Sequence, residues 1–382
     1  MDQDPLAARA RREERVARMR GIRVAFGIIG LAVSVISLIV RCSAGSGNGP
    51  VTPTIAPDVG SEGIVHTLAE PGRAAVTSVA FSPDGKMLAT GDGSGNAYLW
   101  SAATGQRIAT LATGNHSVLT SVAFSPDGKI LAVADAADGT WLWDVGTRRR
   151  LAVLASRGGG LVTSAAFSSG GKALAVSDTN GRVYLWRVAA RAVTATLAAP
   201  GADPLHSAAF SPDGNRVAAG GQDGSVYLWD LKSRRVTARL TDNRIDPSTD
   251  THLGAATDVS FSPDGAMLAV SYADGSADVW DVATRKVAAN LPDWASAVEA
   301  SGAVTTMFSP DGKTVAVAGI NGSTALLDVA SATSGVTLYD PGSTGDVITS
   351  AAAYSPNGKL LAVAGGTLGK TFIWSIAQVT KS

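Results

Sequence analysis

Residues 79–100 read VAFSPDGKMLATGDGSGNAYLW, and the pattern returns six more times. Phe81, Phe124, Phe167, Phe210, Phe261, Phe308 and Tyr354 share one register. Trp100, Trp143, Trp186, Trp229, Trp280, Leu327 and Trp374 share the other. The interval between the two is 19 residues in six copies and 20 in the last. A fixed internal period of this kind decides the fold before any single motif is weighed, because each period is one supersecondary unit.

The copies have one grammar. An alternating apolar segment such as Val76 to Phe81 ends at the aromatic residue, and Ser-Pro-Asp-Gly follows. There Pro presets φ and Asp-Gly supplies a tight turn. A second apolar run (Met87 to Thr90), a turn of Gly, Asp or Asn, and a third run ending Leu-Trp come next. A fourth, such as Arg107 to Leu111, leads into the following copy. Four short strands in about 43 residues predict a four-stranded antiparallel sheet. One such sheet cannot bury both of its faces alone, so the sheets must stack around an axis.

The FSPDG turn, the Gly-rich turn and the Leu-Trp-Asp endings (Leu142-Trp143-Asp144, Leu228-Trp229-Asp230) resemble WD40 repeats from Gly63 to Ser375. The resemblance implies an all-β, seven-bladed WD40-type β-propeller that serves as an interaction platform. Three departures stand out. Leu327 replaces the Trp of repeat six, and Ser169-Gly170 replaces Pro-Asp in repeat three. The family's Gly-His pair is mostly missing: His252 occupies the His position nine residues before Phe261, but Thr251 precedes it. The side-chain network that this His anchors in the family is therefore not expected in most blades.

The expected organisation is a basic cytoplasmic tail (1–23), a transmembrane helix (24–40), a flexible Gly, Ser and Pro-rich linker (41–62), the propeller (63–376) and a C-terminal tail (377–382). Val24 to Val40 contains no charge and lies between Arg23 and Arg41. As a helix it would span roughly 25 Å, a little short of the hydrocarbon core, and the flanking Arg side chains can snorkel to close the gap. Residues 1–41 carry eight Arg against four acids, which places the N-terminus in the cytoplasm and the propeller outside. Cys42-Ser43-Ala44 would offer a small-residue cleavage site, but Arg41 falls inside it, which favours an uncleaved anchor.

The rest of the chain has 24 basic and 28 acidic residues, a mildly acidic balance without a general nucleic-acid footprint. The single cysteine excludes an intrachain disulfide framework. The Asp of each SPDG turn reads as a turn former, and the four His show no metal-ligand spacing. No metal, cofactor or catalytic residue is expected. Ala364 to Thr371 (AGGTLGKT) matches a loose phosphate-loop pattern, but a strand rather than a helix is predicted after it, so its Gly residues serve a hairpin.

Loop lengths carry the functional signal. From the fourth-strand Leu to the next aromatic, the first three connections take 13 steps, while Leu240 to Phe261 takes 21, Leu291 to Phe308 takes 17 and Leu338 to Tyr354 takes 16. These insertions fall in consecutive blades and contain seven acids against Arg244 alone. Asp246, Asp250, His252, Asp293, Trp294, Glu299, Tyr339 and Asp340 are the candidate partner-binding residues, an acidic rim with aromatic anchors suited to a protein or peptide with a basic surface. The leading expectation is a non-enzymatic, membrane-anchored scaffold. The alternatives are a propeller hydrolase of the lactonase kind and a sensor that binds a small ligand through the insertions.

Overall fold

The computed structural model describes residues 58–59 and 63–380, apart from 115, 138, 156–158, 242–244, 247–250, 253, 292–302, 320–321, 342–348 and 366–368. The expected membrane segment 24–40 lies outside these residues. Among the described residues no helix is long and apolar enough to cross a membrane.

Seven antiparallel four-stranded sheets form the blades. Blade 1 consists of Val76–Phe81, Met87–Asp92, Asn96–Ser101 and Arg107–Ala112, and blades 2 to 6 repeat this order. The first strand of each blade touches the first strands of both neighbours, with blade 7 returning to blade 1, so the first strands line the axis of a closed ring. Each strand alternates, and both sheet faces pack against adjoining blades. Ala89, Leu99 and Leu111 of blade 1 join Leu119, Leu131 and Trp141 of blade 2 in one buried cluster, and the other interfaces repeat this arrangement.

Blade 7 is assembled from both ends of the propeller sequence. Its first three strands are Thr349–Tyr354, Leu360–Gly365 and Lys370–Ser375. The fourth is Ile64–Ala69, antiparallel to Lys370–Ser375, with Ile64 opposite Trp374 and Leu68 opposite Thr371. The expected closure by the N-terminal strand is therefore observed. It is reinforced where the expected C-terminal tail begins. Ile376–Val379 forms one helical turn, and Val379 is fully buried. Gly63 lies so close to it that a Cβ there would come within 2.7 Å of Val379 Cγ1. A further segment, Asp58–Val59, pairs in parallel with the fourth strand of blade 6.

Consecutive connections in an antiparallel blade alternate between its ends. The first-to-second and third-to-fourth strand turns therefore share one face, the turn face, and the remaining connections share the opposite one, the loop face. The SPDG turns build the inner part of the turn face. Ser82 Oγ donates to Asp84 Oδ1 at 2.6 Å, Lys86 N donates to the same oxygen, and Met87 N donates to Ser82 Oγ. Gly85 takes φ +69°, which only Gly adopts without strain. Its Cβ position is 3.6 Å from Pro356 of blade 7, and Gly128 meets Pro83 of blade 1 in the same way. These Gly-on-Pro contacts run around the ring, except that Gly214 of blade 4 meets Ser169 of blade 3, and they put the turns of neighbouring blades side by side.

The closing strand generates a test. A chain lacking residues 63–69 loses the burial of Leu68 and a full strand pairing and bares the edge of Lys370–Ser375. We expect its melting temperature to fall by at least about 5 °C, from a loss of more than about 2 kcal/mol. An unchanged melting curve would remove the closure from any role in stability.

Candidate functional site

The three long connections all leave the loop face, and the structure places the candidate residues unevenly. Asp246 and His252 lie in a small hairpin inside the blade 4–5 connection, where Ile245 pairs with His252 and Asp246 with Thr251. Tyr339 ends the fourth strand of blade 6, opposite Ser323, and is partly buried. Asp250, Asp293, Trp294 and Glu299 lie outside the described residues. Asp340 departs from the expected exposed rim. It is 3% exposed, accepts from Thr349 Oγ1 at 3.2 Å, and its backbone N–H donates to Gly322 O. Its carboxyl caps the junction of blades 6 and 7 and is not a surface anchor. Burial pushes its pKa up to about 7 against the pull of the Thr349 hydrogen bond.

Glu70 is the counterpart of Asp340 one blade on, two residues beyond its own fourth-strand Leu68. It is 3% exposed. Thr90 Oγ1 donates to Glu70 Oε1 at 2.5 Å, and Trp100 Nε1 donates to Thr90 Oγ1 at 3.0 Å. A carboxyl-to-hydroxyl-to-indole chain thus links the end of blade 7 to the core of blade 1. The other blades lack the hydroxyl: Val133, Val270 and Val363 take the place of Thr90. Accordingly the buried indole Nε1 atoms of Trp143, Trp280 and Trp374 have no hydrogen-bond partner among the described residues. Burial raises the Glu70 pKa to about 7, the Thr90 bond lowers it, nearby Asp92 raises it and Arg107 lowers it.

In blades 1 to 4 the residue two before the repeat Trp is a buried Tyr or Trp that ties down the second-to-third-strand turn. Tyr98 OH donates to Asp92 Oδ2 at 3.1 Å, Tyr184 OH to Asp178 Oδ2 at 3.2 Å and Tyr227 OH to Asp223 Oδ2 at 2.7 Å; Trp141 Nε1 donates to Asp135. The Asp carboxylates also accept the turn's own N–H groups, as Asp92 does from Ser94 and Asn96. They are spoken for as structure. The phosphate-loop-like residues Lys370 and Thr371 open a strand, as expected, with no helix end at which a phosphate could sit.

One carboxylate faces the axis. The third residue of each first strand is Ser78, Ser121, Ser164, Ser207, Asp258, Thr305 and, in blade 7, Ala351. Asp258 accepts from Ser207 Oγ and Thr305 Oγ1, both at 2.7 Å, and from Thr306 N and Val259 N. It links blades 4, 5 and 6 and has no lone pair left for catalysis. Burial raises its pKa, partly opposed by these donors. Among the described residues no group of three or more His, Cys, Asp or Glu could hold a metal ion.

The two faces differ in charge. Counted from the sequence over residues 63–380, the turn-face connections and their flanking strand ends carry 17 Lys and Arg against nine Asp. The remainder of the propeller carries six against 17 acids. Sequence reasoning recognised the acidic insertions but missed the basic turns, because it summed charge over the domain. Glu70 could have been found from its register, shared with Asp242, Asp293 and Asp340, two residues after the fourth-strand Leu.

The two raised carboxyls generate a pH prediction. The folded state holds these protons more tightly than the unfolded chain, so the stability they contribute is complete below about pH 4 and is lost as pH rises through about 7. Urea midpoints should fall between pH 5 and pH 8. Glu70→Gln should flatten that fall by on the order of 2 kcal/mol. Parallel profiles for the two proteins would show that Glu70 is ionised in the fold.

The WD40 family pattern (WD domain, G-beta repeat) matches residues 63–101, 105–144, 149–187, 192–230 and 247–281. No curated protein matches the chain. Those five matched repeats, continued by two further blades of the same topology, make this chain a member of the WD40 family, folded as a seven-bladed β-propeller.

Proposed function

We propose that the protein is a membrane-anchored interaction scaffold whose loop face captures a protein or peptide partner outside the membrane, without bond chemistry of its own. WD40 propellers generally bind proteins, and the family consists mostly of non-catalytic scaffolds. The observation that carries the reading for this chain is the run of three extended fourth-to-first connections in consecutive blades on one acidic face. A partner with a basic surface is drawn to such a face by long-range attraction, and aromatic side chains supply the short-range contact.

Trp294 and Asp293 are the residues in which those two contributions meet. With both changed to Ala, partner capture in a cross-linking pull-down should drop at least tenfold while the melting temperature stays within about 2 °C, the range expected of surface substitutions. Equal recovery by the two proteins would end the loop-face assignment.

Anchoring through residues 24–40 rests on their charge-free composition and on the Arg excess before them. Protease added to intact cells should then remove the propeller and leave the N-terminal tail protected. Full protection of the propeller would reverse the topology.

A further inference from the structure

The turn face opposite the proposed partner site carries the propeller's excess of basic residues, and most of that excess is gathered in four adjacent blades. In blades 2 to 5 its turns and flanking strand ends hold 13 Lys and Arg, all exposed, against six Asp. The arc is built by repetition. Arg148, Arg191, Arg234 and Arg285 stand at the same place in the third-to-fourth-strand turn of consecutive blades, each with positive φ between 51° and 62°. Blade 1 has Gly105 there and blade 6 has Ala332, so the arc ends at both sides. Blade 3 sits inside it and has lost both of its turn acids: Ser169-Gly170 removes the Asp of the first turn, and Arg187 replaces the Asp that follows Trp in neighbouring blades.

The six remaining Asp do not neutralise the arc by pairing with it. Each is engaged by its own turn. Asp144 Oδ1 accepts from Thr147 N and Oγ1, Asp281 Oδ1 accepts from Thr284 N and Oγ1, and Asp127 accepts from Ser125 Oγ. The guanidinium of Arg150 lies over the Trp141 ring, 4.9 Å from its centroid, and among the described residues of these turns no salt bridge joins the Lys and Arg heads to a carboxylate.

We infer that this arc docks on an anionic lipid surface. Two observations select that partner. The charge is spread over the ends of four blades, which suits a surface of dispersed negative headgroups. The chain is also tethered at the propeller's rim: Asp58–Val59 pairs with the fourth strand of blade 6 beside Thr337 and Leu338, toward the loop-face end, and Ile64 then begins the closing strand at the turn face. Only 17 residues separate Val40 from Asp58, at most about 60 Å of chain, which keeps the propeller within reach of the bilayer. This second point rests on the anchoring proposed above. Docked in this way, the propeller turns its acidic loop face, with the three insertions, away from the bilayer and toward a soluble partner.

The test uses the full-length protein with vesicles of phosphatidylcholine alone or of phosphatidylcholine with phosphatidylglycerol. An amine-reactive label is read at Lys129, Lys172, Lys232 and Lys286, with Lys313 and Lys359, outside the arc, as internal controls. We expect the arc lysines to be labelled several-fold less on anionic vesicles, the difference to vanish at high salt, and the control lysines to change little. Arg148→Glu with Arg191→Glu and Arg234→Glu should abolish the protection, with an unchanged melting temperature confirming the fold. Equal labelling on both vesicle types would overturn the inference. So would protection by duplex DNA that anionic vesicles fail to reproduce, or protection that appears with protein concentration when no vesicles are present. Flotation with neutral vesicles reports the anchor separately. Its failure would remove the anchoring proposal, while the labelling contrast on anionic vesicles would still decide the docking.

Discussion

The pairing of Ile64–Ala69 with Lys370–Ser375 is the constraint on which the rest depends. Seven sheets, each apolar on both faces, cannot be satisfied in a row, because the first and last would each expose one face and an unpaired edge. The closing strand joins the ends through backbone hydrogen bonds and seats Leu68 in the cluster that contains Leu88, Trp100 and Ile373. Blades 7 and 1 then meet as any other neighbours do. Stability is collective as a result, and the connecting loops can vary in length with little penalty because they lie outside the packed interfaces.

Much of this was legible in the sequence because it repeats. The interval of 19 residues gave the number of blades, and the orphan strand before the first full copy gave the closure. The SPDG turns read correctly because Pro, Asp and Gly act through local geometry that does not depend on neighbours. What escaped were features that depend on which end of a strand a residue occupies, or on what lies across a blade interface. Asp340 looked like part of an acidic rim because it follows Tyr339 in a long connection. Its side chain turns inward to Thr349 instead. Glu70 escaped because nothing in its own repeat marks it: its partners Thr90 and Trp100 lie in the next blade, across an interface that the linear sequence does not show.

The buried acids share a physical logic. Glu70 and Asp340 are removed from water and Asp258 is partly so, and all three are engaged by neutral donors: the hydroxyls of Thr90, Thr349, Ser207 and Thr305, and for Asp258 two backbone N–H groups as well. Neutral donors compensate a buried charge less completely than a cation would, so burial prevails and all three pKa values are raised. The turn acids are the opposite case. Asp84, Asp127, Asp213, Asp264 and Asp311 are exposed, accept hydrogen bonds from a Ser hydroxyl and a backbone N–H, and have lowered pKa values. Carboxyl groups are therefore shifted in opposite directions by their position in the blade.

The same positional logic accounts for the polarity of the disc. On the turn face each Asp is tied to a local turn, and the Lys and Arg beside it need no partner within the fold. On the loop face the carboxylates that fix the second-to-third-strand turns are buried against Tyr and Trp, and further acids lie in the insertions. A propeller needs neither distribution to close, since the blade interfaces are apolar and the closing strand is held by its backbone. The charge difference between the faces is thus free of the folding requirement, and a surface property that folding does not require is where selection for binding can act. Blade 3 makes the point most directly: losing Asp from both of its turns leaves the Ser168 hydroxyl still accepting from Ala173 N, so the turn survives while the face becomes more basic.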